Sequence, residues 1–224
     1  DELKKFNVIL ANPPYSIKRW DQKSFENDPY GRNMWGTPPK GCADYAFQQH
    51  IQKSLDDDNG RSLVLWPYGI LFRESEGEMR KKMIEDDLVE CVIALGRNLF
   101  YNSSMESCLL LTRNKKENER KGKVLFIDAR KEYRDEKTIS FLDDCHIDKI
   151  FNAYKGFNNI EGFSYVVTID EILKNDGSLN IPLYIKPDID RKNLIPIDGA
   201  IHSWNESSVK LSKSMNSLFK TIEG

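Results

Sequence analysis

The apolar run Phe6–Ala11 (FNVILA) stops at Asn12-Pro13-Pro14-Tyr15, and that junction constrains the chain more than any other segment. A short apolar run ended by a breaker reads as a fully buried strand. Two successive prolines fix φ and remove two backbone donors, so the turn presents carbonyl oxygens and few N–H groups. Asn12 precedes a proline, which biases it toward an extended backbone. Its amide oxygen and the Pro13 carbonyl can then point the same way as two acceptors. An amino group on a planar ring carries two N–H donors. Holding both makes the nitrogen more tetrahedral and exposes its lone pair. Tyr15 adds a flat face on which a ring could stack. The same four letters also occur in turns that merely close a strand.

Downstream, apolar runs alternate with helical periods. Asp44 to Leu55 reads as a helix with Phe47, Ile51 and Leu55 on one face, ended by the turn Asp56-Asp57-Asp58-Asn59-Gly60. Ser62 to Trp66 is a second strand, stopped by Pro67. Ser75-Glu76-Gly77-Glu78 has the spacing of a capping box opening a helix to about Asp86. Val89–Leu95, Ser107–Thr112 and Lys123–Ala129 are three further strands. This alternation implies an α/β fold with parallel strands and crossover helices. The run at 107–112 follows its predecessor too closely for a helix between them, which suggests an antiparallel partner. Ile147–Tyr154 reads as a helix, and Thr168-Ile169-Asp170-Glu171 as a second capping box with a short helix to about Lys174. In the tail, Ile201, Trp204, Ser208, Leu211, Met215, Leu218 and Ile222 recur at alternating three and four, a seam for its own domain or for a helical partner.

Residues 16 to 41 show no clear period. Loops of this length inside a domain are usually functional or disordered. Here Trp20, Phe25, Tyr30 and Trp35 interleave with Lys18, Arg19, Lys23 and Arg32. Such a loop suits closure over nucleic acid, or simple packing of its aromatics on the domain.

Net charge is −2 and charged residues make up 30% of the 224, which argues against strong autonomous nucleic-acid binding. No apolar run approaches a membrane span and no signal-peptide pattern opens the chain, so no membrane partner is expected. Cys42, Cys91, Cys108 and Cys145 have neither metal spacing nor a paired framework. Cys91 and Cys108 fall in apolar strands and read as core. A reduced, cytoplasmic protein without a metal fits these residues.

The chain resembles the methylation subunits of type I restriction–modification systems, adenine-N6 DNA methyltransferases. The resemblance runs from the Asn12–Tyr15 turn through Ala43–His50, Leu65–Arg73, Arg80–Glu85, Val92–Leu95, Asn98–Asn102 and Val124–Ala129 to Leu179–Ile185, in family order across about residues 6 to 186. Two positions depart from the family pattern: Gly96 stands where a proline is usual, and Leu183 where an arginine is usual. The family's glycine-rich donor loop lies upstream of the turn and has no counterpart in this sequence.

The resemblance implies a partial Rossmann-like methyltransferase fold: the second half of a mixed, mostly parallel sheet with flanking helices, plus a C-terminal helical tail. In that half, residues 1–135 form the catalytic part, 136–190 a mixed extension, and 191–224 the tail, a possible subunit contact. Phe6–Ala11 would then be an exposed edge unless a partner covers it. By the same resemblance, Asn12 and Pro13 hold adenine N6, with Pro14 completing the turn and Tyr15 stacking on a base flipped from double-stranded DNA. The methyl donor is S-adenosylmethionine, with Asn12, Asp44 and Phe47 near it. Lys18, Arg19, Trp20, Lys23 and Arg32 are DNA-contact candidates. A DNA-specificity subunit, and in some systems a restriction nuclease subunit, are the expected partners. The chain alone is expected to be inactive. The turn itself would also serve an RNA or protein-glutamine N-methyltransferase, and the chain could be a non-catalytic assembly module.

Overall fold

The computed structural model describes residues 2–100, 105–136, 139–186 and 196–222. They form two units, residues 1–187 and 188–224. The first is built on a six-stranded sheet. Its strands are β1 (Val8–Ala11), β2 (Arg61–Pro67), β3 (Val89–Leu95), β4 (Ser107–Arg113), β5 (Lys123–Ala129) and β8 (Ser164–Thr168), in the spatial order β1-β2-β4-β3-β5-β8. β1 pairs parallel to β2, and β3 to β5, while β4 runs antiparallel between β2 and β3, and β8 antiparallel on β5. Four strands thus point one way and two the other. The antiparallel insertion of 107–112 is as the sequence indicates. β8 and the small hairpin of β6 (Arg134–Glu136) with β7 (Ile139–Phe141) were not foreseen, because their short runs lack a sustained alternation.

Helices cover the two faces unequally. On one face lie α2 (Asp44–Lys53), α3 (Gly77–Glu85) and α5 (Ile169–Lys174). Tyr45, Ile51, Met79, Met83, Ile84 and Ile172 from these helices pack on Val64, Trp66, Val92, Cys108, Leu110 and Phe126. On the other face, α4 (Asp144–Gly156) brings Ala153, with Ile150 and Tyr154 partly buried, against Cys91, Ile93, Leu125 and Ile127. Cys91 and Cys108 are core residues, both fully buried.

The expectation that Phe6–Ala11 is a fully buried strand fails. β1 is an edge strand in which exposed and half-buried residues alternate. Leu10 is 74% exposed and Val8 49%. Among the described residues β1 has a neighbour on one side only, and of its residues Ile9 and Ala11 pack against the core. The alternative, an exposed edge, holds.

Local signals explain the remaining differences. A 3-10 turn over Glu74–Glu76 takes up Ser75, and the N-cap of α3 is Glu76 with no side-chain cap bond, so the expected box does not form. At α5 the Thr168 hydroxyl accepts from Glu171 N–H as expected. A full capping box, Asp143 with His146, opens α4 three residues earlier than its apolar period suggests. At the turn after α2, Asp56 accepts from the N–H groups of Asp58 and Asn59. A Cβ on Gly60 would lie 2.3 Å from the Asp56 carbonyl oxygen, so the turn admits only glycine. Gly96, where the family pattern has proline, lies against Tyr133: a Cβ there would sit 2.4 Å from the ring.

The second unit is described by α6 (Ile197–Ile222). It spans the heptad seam foreseen in the tail, and Ile201, Trp204, Leu211, Met215 and Leu218 along it are exposed.

Candidate active site at the β1 turn

The chain leaves β1 at its carboxyl end into Asn12-Pro13-Pro14-Tyr15. Asn12 and Pro14 are exposed, and Pro13 and Tyr15 half-buried. The Tyr15 hydroxyl donates to the Asn12 amide oxygen at 2.7 Å. That bond fixes which way the amide faces, and it leaves the oxygen's second lone pair for another donor. Among the described residues nothing donates to the Pro13 carbonyl. Burial, the first of the causes, then the nearby Cys108 and Asp44, raise the Tyr15 phenol above its ordinary value, so it remains a donor throughout the neutral range. Its ring packs on both core clusters.

The exit of the turn is clamped. Ser16 adopts a left-handed backbone, φ 49°, which a residue with a Cβ holds only when its surroundings require it. Its N–H donates to Asp44 Oδ1 at 2.7 Å, at the start of α2. The other oxygen of Asp44 accepts from Arg73 Nη2 at 2.6 Å. Arg73 also bonds Cys42 Sγ and pairs with Glu76 at 3.3 Å, and Cys42 donates to Glu76. Cys42, Asp44 and Glu76 have ligand atoms within 4.8 Å of one another, a spacing a metal could use, and the guanidinium meets all three. Burial pushes the Cys42 thiol up to about 12 and raises the Glu76 carboxyl. The node supports the turn from beneath, one guanidinium joining two buried carboxyls and a buried thiol, and sequence spacing gives no hint of it because Arg73 and Glu76 lie far from Asp44 in the chain.

Asn12, Pro13, Pro14 and Tyr15 form one side of a cleft of about 540 Å³, and Phe100, Met105 and Ser107 complete its lining. Phe100 belongs to a family-like segment, but nothing in the spacing says that it meets Tyr15's cleft. Tyr101 and Asn102 lie outside the described residues. Asp44 and Phe47 do not line this cleft. Phe47 borders a separate pocket of about 330 Å³ with Ile17, Trp20, Phe25, Arg32, Ala43, Ala46 and His50.

Of the residues singled out for DNA contact, Lys18, Arg19 and Lys23 are exposed. Arg32 is committed to Asp28, with Nε 2.9 Å from Oδ1, and lies over the Tyr30 ring. Trp20 is half-buried, edge-on to Phe25 at 5.8 Å. Phe25 and Trp35 are buried, and Trp35 donates to Asp86 at 2.9 Å. Much of the 16–41 segment therefore packs on its own domain, around the short helix α1 (Gln22–Glu26). Among the described residues no helix is long and apolar enough to cross a membrane.

Known proteins resemble this chain in sequence and fold. The chain is 39% identical to the methylase subunit of the type I restriction enzyme MjaVIII from Methanocaldococcus jannaschii, over 82% of this chain and 32% of that one. It is 38% identical to the HindI methylase subunit from Haemophilus influenzae, over 81% and 42%. The crystal structure of a type I restriction–modification methyltransferase subunit from Streptococcus thermophilus superposes with a TM-score of 0.76 at 37% identity, over 83% of this chain and 39% of that one. The chain thus spans about a third to two-fifths of the length of these relatives. Residues 1–193 match the model of the N-6 DNA methylases, and the chain belongs to that family.

Proposed function

We propose that the protein is the modification subunit of a type I restriction–modification system, methylating N6 of adenine in DNA with S-adenosylmethionine as donor. One observation carries this reading. An amide oxygen with a spare lone pair and the Pro13 carbonyl stand at the rim of a cleft that also has two aromatic side chains, Tyr15 and Phe100. Its volume falls in the usual range of small-molecule sites, about 300–1,000 Å³.

In this reading Asn12 and Pro13 accept the two N–H bonds of the amine, which turns its lone pair out of the ring plane. Tyr15 does two things at once: its ring flanks the base and its hydroxyl fixes the Asn12 amide. Asp44, through Ser16, holds the turn in its strained exit. The donor supplies a methyl group on a sulfonium. Of the residues first considered for holding it, Asn12 borders the cleft. Asp44 has both oxygens engaged with protein groups, so we assign it to positioning the turn, and Phe47 belongs to the neighbouring pocket. The adenine must leave the duplex to reach the cleft, because its amine is otherwise within the stack and base pair. A mildly acidic chain of net charge −2 suits a subunit that leaves sequence reading to a separate DNA-specificity subunit, with or without a nuclease subunit.

The test is acceptor analysis of the intact enzyme with labelled S-adenosylmethionine offered DNA, RNA and protein together. Label should appear as N6-methyladenine in DNA. Label confined to RNA or to glutamine would reject the reading.

A further inference from the structure

Ser107 opens β4 and lines the cleft of the Asn12–Tyr15 turn. The residue is only 3% exposed, and among the described residues its buried hydroxyl has no hydrogen-bond partner. Other buried hydroxyls of the sheet are satisfied. Ser62 and Thr112 share a bond of 2.7 Å across β2 and β4, and Ser164 donates to the Asn158 carbonyl at 2.8 Å. Leaving a buried hydroxyl unpaired is costly, and such groups call for an explanation, a bound partner among them.

The register says where this hydroxyl stands. Ala11 lies beside Val64, so the next residue, Asn12, falls beside Leu65, which faces Leu109 on β4. Side chains alternate along a strand. Asn12, Leu65 and Leu109 therefore share a sheet face, and Ser107, two residues from Leu109, shares it too. Ser107 is displaced toward the carboxyl end of β1, where the turn opens. Two strand spacings separate the strands, placing it on the order of 10 Å from Asn12. A purine with a hydrogen bond at each end fills such a span.

We propose that Ser107 is a second recognition point for the target base: its hydroxyl donates to a ring nitrogen of the base whose amine Asn12 and Pro13 hold. The assignment rests on the proposed function. Apart from its amine, adenine offers only acceptors on its free edges, N1, N3 and N7, and a hydroxyl is a matching donor. The contact makes Ser107 a specificity-determining residue. A base that presents a donor at that point leaves the hydroxyl facing another donor.

The experiment pairs Ser107→Ala with altered bases. In the intact enzyme, kcat/KM on adenine-containing DNA should fall about 10-fold, in the range of one hydrogen bond. DNA carrying 1-deaza-, 3-deaza- or 7-deazaadenine at the target is then offered to both enzymes. One of the three should slow the wild type by a similar factor and show no further loss with Ser107→Ala. The melting temperature of Ser107→Ala should equal or exceed that of the wild type, since an unpaired buried group has been removed. A 10-fold loss persisting on all three analogues, or no loss on adenine, would overturn the assignment while leaving the methylation reading intact. A wild type that leaves adenine in DNA unmodified removes both.

Discussion

β1 and β3 carry similar apolar letters and end in opposite situations. Every residue of β3 is buried, between β4 and β5 in the sheet, with helices on both faces. Among the described residues β1 has β2 alone beside it, and its outward face, Val8 and Leu10, is exposed. A shallow apolar depression lined by Leu10, Leu63, Leu65 and Leu109 extends from it along the sheet. Hydrophobicity along a run reports that a strand wants burial. It does not report how many neighbours the strand will find. The polar residues of the two strands divide in the same way. Glu90, inside β3, is fully buried and pairs with Arg113 and Arg120 while accepting from Tyr154 at 2.6 Å. Asn12, just past β1, is exposed and faces a cleft. The finished side of the sheet holds the fold, and the open side carries the turn to which we assign the chemistry.

The largest effect that would break this contrast lies in β3. Glu90→Ala leaves Arg113 and Arg120, both partly buried, without the buried carboxylate they share, and breaking a buried pair in this way costs up to about 3–5 kcal/mol. The denaturation midpoint should drop accordingly. A loss under about 1 kcal/mol would mean that water reaches the arginines and that this side is less finished than it looks. Asn12→Ala is the counterpart on the open side. Its stability cost should stay within about 0.5 kcal/mol, as for exposed positions. In the intact enzyme the rate should fall on the order of 10²-fold or more, as when a transition-state hydrogen-bonding group is removed. Normal turnover would remove Asn12 from the site, and a large fall in melting temperature would make it a fold residue like Glu90.

The strands with strong apolar runs were legible in the sequence, and so was the antiparallel place of 107–112, because hydrophobic runs and short connections carry that information. α4 was read short because its capping box uses His146, outside the usual acidic pattern at that position. The turn Asn12–Tyr15 stood out in the sequence as a candidate site, from an asparagine, two prolines and an aromatic after an apolar run. Its supports did not. Arg73 and Glu76 reach Asp44 and Cys42 only through the fold, and Ser16's left-handed backbone carries no glycine to announce it. Phe100 and Ser107 enter the cleft because β4 inserts beside β2, a consequence of sheet order that no local pattern states. The aromatic loop shows the converse limit: its composition fits a nucleic-acid lid, while Phe25 and Trp35 are spent on packing.

Tyr15→Phe probes a smaller term within the open side. It removes one hydrogen bond, worth about 1 kcal/mol, and keeps the ring. The rate should fall about 5-fold, with the amide of Asn12 free to turn, whereas loss of the ring in Tyr15→Ala should cost more. Because the phenol is raised above 10.0, the wild-type rate should show no ionisation from Tyr15 below about pH 10. A break in the pH profile near 8 or 9 that disappears in Tyr15→Phe would contradict that ordering.

The smallest expected effect is at Leu10. A leucine in the middle of a strand ordinarily contributes about 2–5 kcal/mol when cut to alanine. At 74% exposure Leu10 contributes almost none of that in this chain, so Leu10→Lys should shift the unfolding free energy by no more than about 0.5 kcal/mol. The same change places a charge on a bare edge, which discourages strand-to-strand association. Light scattering of the 224-residue chain at rising concentration should therefore show less aggregation in Leu10→Lys than in wild type. An unfolding loss of several kcal/mol would show that the outward face of β1 is covered in solution. The two strands would then differ in sequence position alone and not in burial.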